Sequence, residues 1–365
     1  MEKDFDVIVI GAGVIGLSIS YELSKKYSVG LIEKNKRYGL ETSSRNSEVI
    51  HSGIHYPTGS LKAKLCVQGN ELLYEFLREN NILHKKTGKL TVVVKEDEIK
   101  EIERLYKQGI ENGVPDVKII EKNGIKSFAP EIEGVCALYT ASTGILNVHY
   151  LMDCLYEKFL NNDGIVGFDE KVINIEKKNS IYLVETEKGK YYSEIVINSA
   201  GLYAEQISNK LGFNYEVFWV KGDYFTISKK YNIPLLIYPV PMKEGLGIHL
   251  TPRLDGFLRV GPDVEYVEKN YPPYSNEKEN SIFKIEERKK EFFYNEIRKF
   301  LPEIKIEDLN SESYGIRPKL QKKGEGFKDF VIKEELSGFI NLIGIDSPGL
   351  TCCLSIAKYV KNLIS

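Results

Sequence analysis

Three glycines near the start of the chain, Gly11, Gly13 and Gly16, stand at a spacing that lets backbone wrap a phosphate. Glu33 follows after about 20 residues, the interval at which such turns place a ribose-binding acid. Gly11 permits a tight turn, Gly13 admits a pyrophosphate close to the backbone, and Gly16 lets a helix lie against a strand. The helix N-terminus, with Val14 and Ile15 in its first turn, draws the phosphates electrostatically. Glu33, next to Lys34, accepts a ribose hydroxyl. Together these residues are expected to bind the ADP half of a dinucleotide.

Those groups need a strand, a turn and a helix to hold them, and the sequence supplies all three. The apolar run Val7–Ile10 reads as a buried parallel strand, a helical pattern follows to about Leu23, and Val29–Ile32 is a second strand. Residues 36–60 are rich in Gly, Ser, Thr, Asn and His with little periodicity, which marks a long functional loop. A helix is expected from Leu61 to about Asn80, a strand at 88–94, and helices at 96–112 and 147–161. Strands follow at 165–168, 180–187 and 191–198. The last runs into the small-residue turn Ser199-Ala200-Gly201 and a helix from about Ala204. Alternating runs broken by Pro and Gly over 215–268 read as an antiparallel sheet. A charged helix is expected at about 277–300. The chain closes with a strand at 338–343, a turn over 344–350 and a helix to Ile364.

A chain of 365 residues can bury a large core and is expected to divide in two. Its 42% hydrophobic and 28% charged content is ordinary for a soluble globular protein. A net charge of −2 offers no basic footprint for nucleic acid. The first strand starts at once, which leaves no room for a signal peptide, and no apolar run approaches the roughly 18 residues of a membrane span. A cytoplasmic protein is expected, with peripheral membrane contact left open. Cys66, Cys136, Cys154, Cys352 and Cys353 show no metal-ligand spacing and read as reduced thiols; no metal is expected.

A nicotinamide dehydrogenase usually has one contiguous nucleotide domain, whereas here nucleotide-type elements lie at both ends of the chain. The expected fold is α/β: a discontinuous FAD-binding Rossmann-like unit (residues 1–85, 145–212 and 312–365) built on a parallel sheet, and a discontinuous antiparallel-sheet substrate or cap unit (86–144 and 213–311). Small residues at Ala200-Gly201 and over Asp346, Ser347, Pro348, Gly349, Leu350 and Thr351 allow the close backbone approaches that an extended FAD needs. The positive N-terminus of the last helix would stabilise a reduced flavin.

The loop Glu41–Tyr56, with Asn46-Ser47 and Val49-Ile-His-Ser-Gly-Ile54, resembles the L-2-hydroxyglutarate dehydrogenase/oxidase family of FAD enzymes. That family lies within the D-amino-acid-oxidase-like class, which also holds glycerol-3-phosphate dehydrogenases, glycine oxidase and sarcosine oxidase. The resemblance covers almost the whole chain. It extends through Gly59–Gly69, Gly88-Lys-Leu90, Asn112-Gly-Val-Pro115, Ala200-Gly-Leu-Tyr203, Lys221-Gly-Asp-Tyr224, Tyr238-Pro-Val-Pro241, Gly247–Gly256 and Gly315-Ile-Arg317.

The resemblance implies oxidation of a secondary alcohol beside a carboxylate, with a hydride passing to flavin N5 while a base takes the hydroxyl proton. His51 is the first choice of base. Arg317 matches the class's carboxylate-binding arginine, whose planar fork grips with two bonds. His249 falls on a strand that faces the flavin in the family. Tyr238, Lys221 and Tyr224 are weaker candidates, and Arg253 and Asp255 sit at a turn. Thr42, Ser43, Ser44, Arg45, Asn46 and Ser47 match the loop that wraps the FAD pyrophosphate and ribityl chain, and Val172 would place backbone against the adenine. His55 departs from the pattern: the hydroxyglutarate enzymes usually carry Tyr there and the glycerol-3-phosphate enzymes Arg, which opens the substrate's identity.

Two substrates therefore stand, L-2-hydroxyglutarate and glycerol 3-phosphate. The second requires cations converging on a phosphate, for which Arg45, Lys221 and Arg317 are available. A third reading, a non-enzymatic FAD-binding electron relay, is opposed by the pairing of His51 with Arg317. The electron acceptor (oxygen, a quinone or a partner protein) is left open.

Overall fold

Short apolar runs from both ends of the chain pair into one sheet. In the computed structural model, which describes residues 2–241, 246–269 and 285–364, strand Phe5–Ile10 lies between Val29–Ile32 and Lys190–Asn198. Ile165–Gly167 extends one side and Phe339–Ile343 the other, all five parallel. The strand Phe5–Ile10 alternates between two cores, as a period of two requires. Val7 and Val9 face the helices Val14–Ser24, Leu61–Glu79, Val148–Asn161 and Gly349–Leu363, while Ile8 and Ile10 face the hairpin Val172–Lys178/Ile181–Thr186 and Ile207. With both faces covered, the strands read as unbroken apolar runs.

The second sheet shares the wall of one cavity with the first. Its longest pairing joins Phe218–Ile227 to Leu309–Lys319, with Leu258–Val260 and Glu265–Val267 along the other edge. All its pairs are antiparallel except one. Leu236–Pro239 runs parallel to Lys89–Val93, and this pair fuses the segment around residues 86–144 with that around 213–311. The second sheet is thus antiparallel, as expected, apart from this one parallel pair. Strand Leu309–Lys319 also crosses the expected division at residue 312 and pairs wholly within this second sheet. Its polar stretch Asn310–Ser313 hides it from an apolar pattern.

The strands Val117–Glu121, Cys136–Thr140 and Val172–Lys178 are further elements that periodicity does not reveal. Of the charged helix expected at 277–300, residues 277–284 lie outside the described residues. The remainder forms a short 3-10 turn and the helix Lys290–Ile297. All five cysteines are free thiols, and Cys66, Cys352 and Cys353 are buried. Among the described residues no helix is long and apolar enough to cross a membrane.

Candidate active site

A cavity of about 1200 Å³ runs from the glycine turn to the second sheet. At its first end the backbone decides the geometry. Gly11 has φ +97°, and a Cβ there would stand 2.8 Å from the Ser199 carbonyl oxygen. A Cβ on Gly16 would stand 1.8 Å from the Gly11 carbonyl oxygen, so only glycine lets the helix Val14–Ser24 press onto the turn. The Ser43 hydroxyl accepts from the Val14 N–H at 2.9 Å, over the open helix N-terminus. Both Glu33 oxygens are committed: Oε2 accepts from Ala12 N at 2.8 Å, and Oε1 accepts from the backbone N–H and the side-chain amide of Asn35. Burial outweighs these bonds and raises the Glu33 carboxyl above its ordinary range.

The loop over residues 42–47 is held against strand Leu309–Lys319. The Thr42 hydroxyl donates to Ile316 O at 2.9 Å, and a Cβ on Gly315 would stand 2.0 Å from the Arg45 carbonyl oxygen. Asn46 donates to Ser43 O, and Ser47 shares a hydrogen bond with the Tyr224 hydroxyl at 3.2 Å. Lys34 pairs with Glu41 and stands 4.2 Å from the centre of the Tyr203 ring.

At the far end, side chains from separate segments meet. His51 receives a hydrogen bond on its carbonyl from Asn70 at 2.9 Å, and its own N–H donates to the fully buried Thr351 hydroxyl at 2.9 Å. Its Nε2 shares a hydrogen bond with Ser347 Oγ at 3.2 Å, and Ser347 reaches the Tyr56 hydroxyl at 3.3 Å. Burial, and after it the Lys89 charge, press the His51 imidazole down to about 3. His249 is likewise held at about 3 by burial. Its Nδ1 meets the Gly247 carbonyl at 3.0 Å and must donate to it, which leaves Nε2 as a bare acceptor with no partner among the described residues. The Tyr238 ring stacks on His249 with centroids 3.9 Å apart and lies nearly parallel to His55 at 6.3 Å. Asp346 is bracketed by Lys62 at 2.8 Å and Lys319 at 3.3 Å, which hold its carboxyl below its ordinary value despite burial.

Arg317 lines the cavity, yet two of its three nitrogens are committed to main chain. Nε donates to Val220 O, and Nη2 donates to Lys221 O and, at 2.7 Å, to Asp263 O. Those bonds occupy the Nε–Nη2 edge with main-chain carbonyls.

The cavity wall gathers most of the residues singled out in the sequence. It includes Gly11, Gly13, Val14, Ile15, Glu33, Lys34, Thr42, Ser43, Arg45, Asn46, Ser47, Val172, Ala200, Gly201 and Asp346 to Leu350, with His51, His55, Tyr238, His249 and Arg317. Gly16, Ser44 and Thr351 stand outside that wall. Gly16 lies beneath the turn, Ser44 donates back to Glu41 O, and Thr351 braces His51. Lys221 does not reach the wall either; its fully buried ammonium is salt-bridged to Asp223 at 2.8 Å. Arg253 ties the turn to Asp255 and Glu312. Sequence reading missed Lys89, whose Nζ lies 2.8 Å from His55 Nε2, and Tyr56. The signal was there for Lys89: one cation in a strand of Leu, Thr and Val.

Residues 6–363 match the family described as FAD dependent oxidoreductase. The chain is 36% identical to mitochondrial L-2-hydroxyglutarate dehydrogenase of Arabidopsis thaliana, over 98% of this chain and 83% of that one. It is 34% identical to glycerol 3-phosphate dehydrogenase of Caloramator mitchellensis, over 99% of this chain and 74% of that one. Its backbone matches dithionite-reduced L-alpha-glycerophosphate oxidase from Mycoplasma pneumoniae with FAD bound at a TM-score of 0.88 and 26% identity, covering 100% and 95% of the two chains.

Proposed function

The chain belongs to the FAD-dependent oxidoreductase family, and from that premise we propose that it oxidises a 2-hydroxy acid, L-2-hydroxyglutarate, to 2-oxoglutarate. The observation that carries the reading is a neutral imidazole and an arginine on the wall of one cavity that begins at a dinucleotide turn. The residues fit FAD. A Cβ on Gly13 would stand 2.9 Å from Ser43 Oγ, so glycine lets Ser43 close over the helix N-terminus and shape the cradle, and Glu33 and Val172 extend the same wall toward an adenosine. At the other end, the residues from Ser347 to Leu350 open the last helix toward the cavity. Bound FAD supplies the two-electron acceptor. The residues of the chain do the rest: Arg317 Nη1 holds the carboxylate beside the hydroxyl, and His51 takes the hydroxyl proton. Burial keeps the His51 imidazole unprotonated at neutral pH but also weakens it as a base, so an anion arriving beside it must raise its hold on the proton. His249 Nε2, a bare acceptor, orients the same hydroxyl.

Glycerol 3-phosphate is the second reading, supported by the 34% identical relative. It is weakened by Lys221, whose charge is spent on Asp223 rather than turned to the cavity. The five free thiols fit a reducing, cytoplasmic setting. Turnover with a redox dye as acceptor, followed by identification of the product, tests the reading. 2-Oxoglutarate from L-2-hydroxyglutarate supports it, and dihydroxyacetone phosphate formed from glycerol 3-phosphate alone overturns it.

A further inference from the structure

We propose that Lys89 and His55 form an anion subsite in which the Lys89 ammonium, acting through His55, selects substrates that carry a second anionic group beyond the one held by Arg317. The proposal rests on the reading of the protein as an oxidoreductase of a small hydroxy acid or phosphorylated polyol.

Lys89 is 1% exposed, in a strand whose five residues are all buried. A buried cation ordinarily has a carboxylate beside it, and among the described residues Lys89 has none. Its neighbours are His55 Nε2 at 2.8 Å and the Tyr238 ring, whose centre lies 4.9 Å away. An ammonium has only donors to offer, so His55 Nε2 accepts and the ring proton sits on Nδ1. That Nδ1 is buried and has no partner among the described residues. The chain from Lys89 through His55 thus ends in an N–H without an acceptor, on a residue of the cavity wall. The flat Tyr238 ring beside His55 limits how far the imidazole can turn. A distal carboxylate or a phosphate would supply both the missing acceptor and the missing counter-charge. A substrate without one would leave both unmet, which is how a polar site rejects an analogue more strongly than an apolar one can. Lys89 is therefore a positioning residue and His55 the contact.

Burial lowers the Lys89 ammonium to about 7. The Cys66 thiol on helix Leu61–Glu79 acts the other way, while His51, His55 and His249 face Lys89 from two further segments, and Arg104 adds its charge at His55. An arriving anion would draw a proton onto Lys89, and deprotonation above about pH 7 would weaken the subsite.

The test is titration of the FAD-loaded protein, its Lys89→Met variant and its Lys89→Arg variant with glutarate and with butyrate, read from perturbation of the flavin absorbance. 3-Phosphoglycerate against glycerate, which share the carboxylate and differ in the phosphate, forms the phosphate arm. We expect the wild type to prefer one dianion over its uncharged-tail partner by roughly tenfold or more, with the preferred arm identifying carboxylate or phosphate. The preference should collapse in Lys89→Met, persist in Lys89→Arg, and decline above about pH 7 in the wild type alone. Equal preference in wild type and Lys89→Met, equal weakening of both ligands in a pair, or no preference in either arm of the wild type overturns the proposal. These are binding readouts, so they stand apart from failure of the functional reading, which shows as absence of turnover.

Discussion

The two ends of the cavity are built on opposite principles. At the glycine turn, polar groups already have partners within the chain: Glu33 is bonded through both oxygens and the Val14 N–H through Ser43. At the other end, among the described residues, His55 Nδ1 and His249 Nε2 have no partner and Lys89 is buried with no carboxylate beside it. The first end is a backbone cradle fixed by local steric limits. The second holds desolvated groups in place before their ligand arrives, which costs stability and favours binding of complementary charge.

The largest effect that would sharpen this contrast is at His51. His51→Gln should lower kcat roughly 10²- to 10⁴-fold while FAD stays bound, measured by dye-coupled turnover and retained flavin absorbance. Arg317→Met should lower kcat/KM for the hydroxy acid by about 30- to 1,000-fold, mainly through KM, in steady-state kinetics. An unchanged KM would show that the arginine serves only the carbonyls of Val220, Lys221 and Asp263. At the cradle, Gly16→Ala should destabilise the fold by about 1–3 kcal/mol or more and release FAD on gel filtration, because its Cβ would meet the Gly11 carbonyl oxygen. Retention of full stability there would break the contrast from the other side.

The smallest effect is a pH dependence. His249 is 5% exposed and held at about 3, below its ordinary value of 6.5. The unfolded chain therefore binds a proton at this group that the folded chain refuses. Its contribution to stability is complete above about pH 6.5 and is lost as pH falls from there toward 3, by up to about 1.4 kcal/mol per pH unit. His51 acts in the same direction. Thermal unfolding at pH 7.5 and 5 should show the loss, and His249→Gln should make it shallower.

How much of this was legible in the sequence follows from the same contrast. Gly11, Gly13, Gly16 and Glu33 lie within 23 consecutive residues, between two apolar strands, so local pattern was enough. The parallel core strands were legible for the same reason. At the other end, resemblance pointed to His51, His249 and Arg317, which line the cavity wall, but their partners come from distant pairings. Lys89 meets Tyr238 only because Lys89–Val93 runs parallel to Leu236–Pro239, a register no local period announces. Strand Leu309–Lys319 escaped because its polar half, Asn310–Ser313, carries no alternation of apolar residues. The main-chain bonds that occupy two nitrogens of Arg317 were invisible for that reason too: Val220 and Lys221 belong to the strand it pairs with.

The most direct test of the central claim is anaerobic addition of L-2-hydroxyglutarate to the purified FAD-loaded protein while the flavin's visible absorbance is followed. The proposed function predicts bleaching by L-2-hydroxyglutarate, abolished or slowed by His51→Gln. Bleaching by glycerol 3-phosphate alone, or by neither compound, would contradict it.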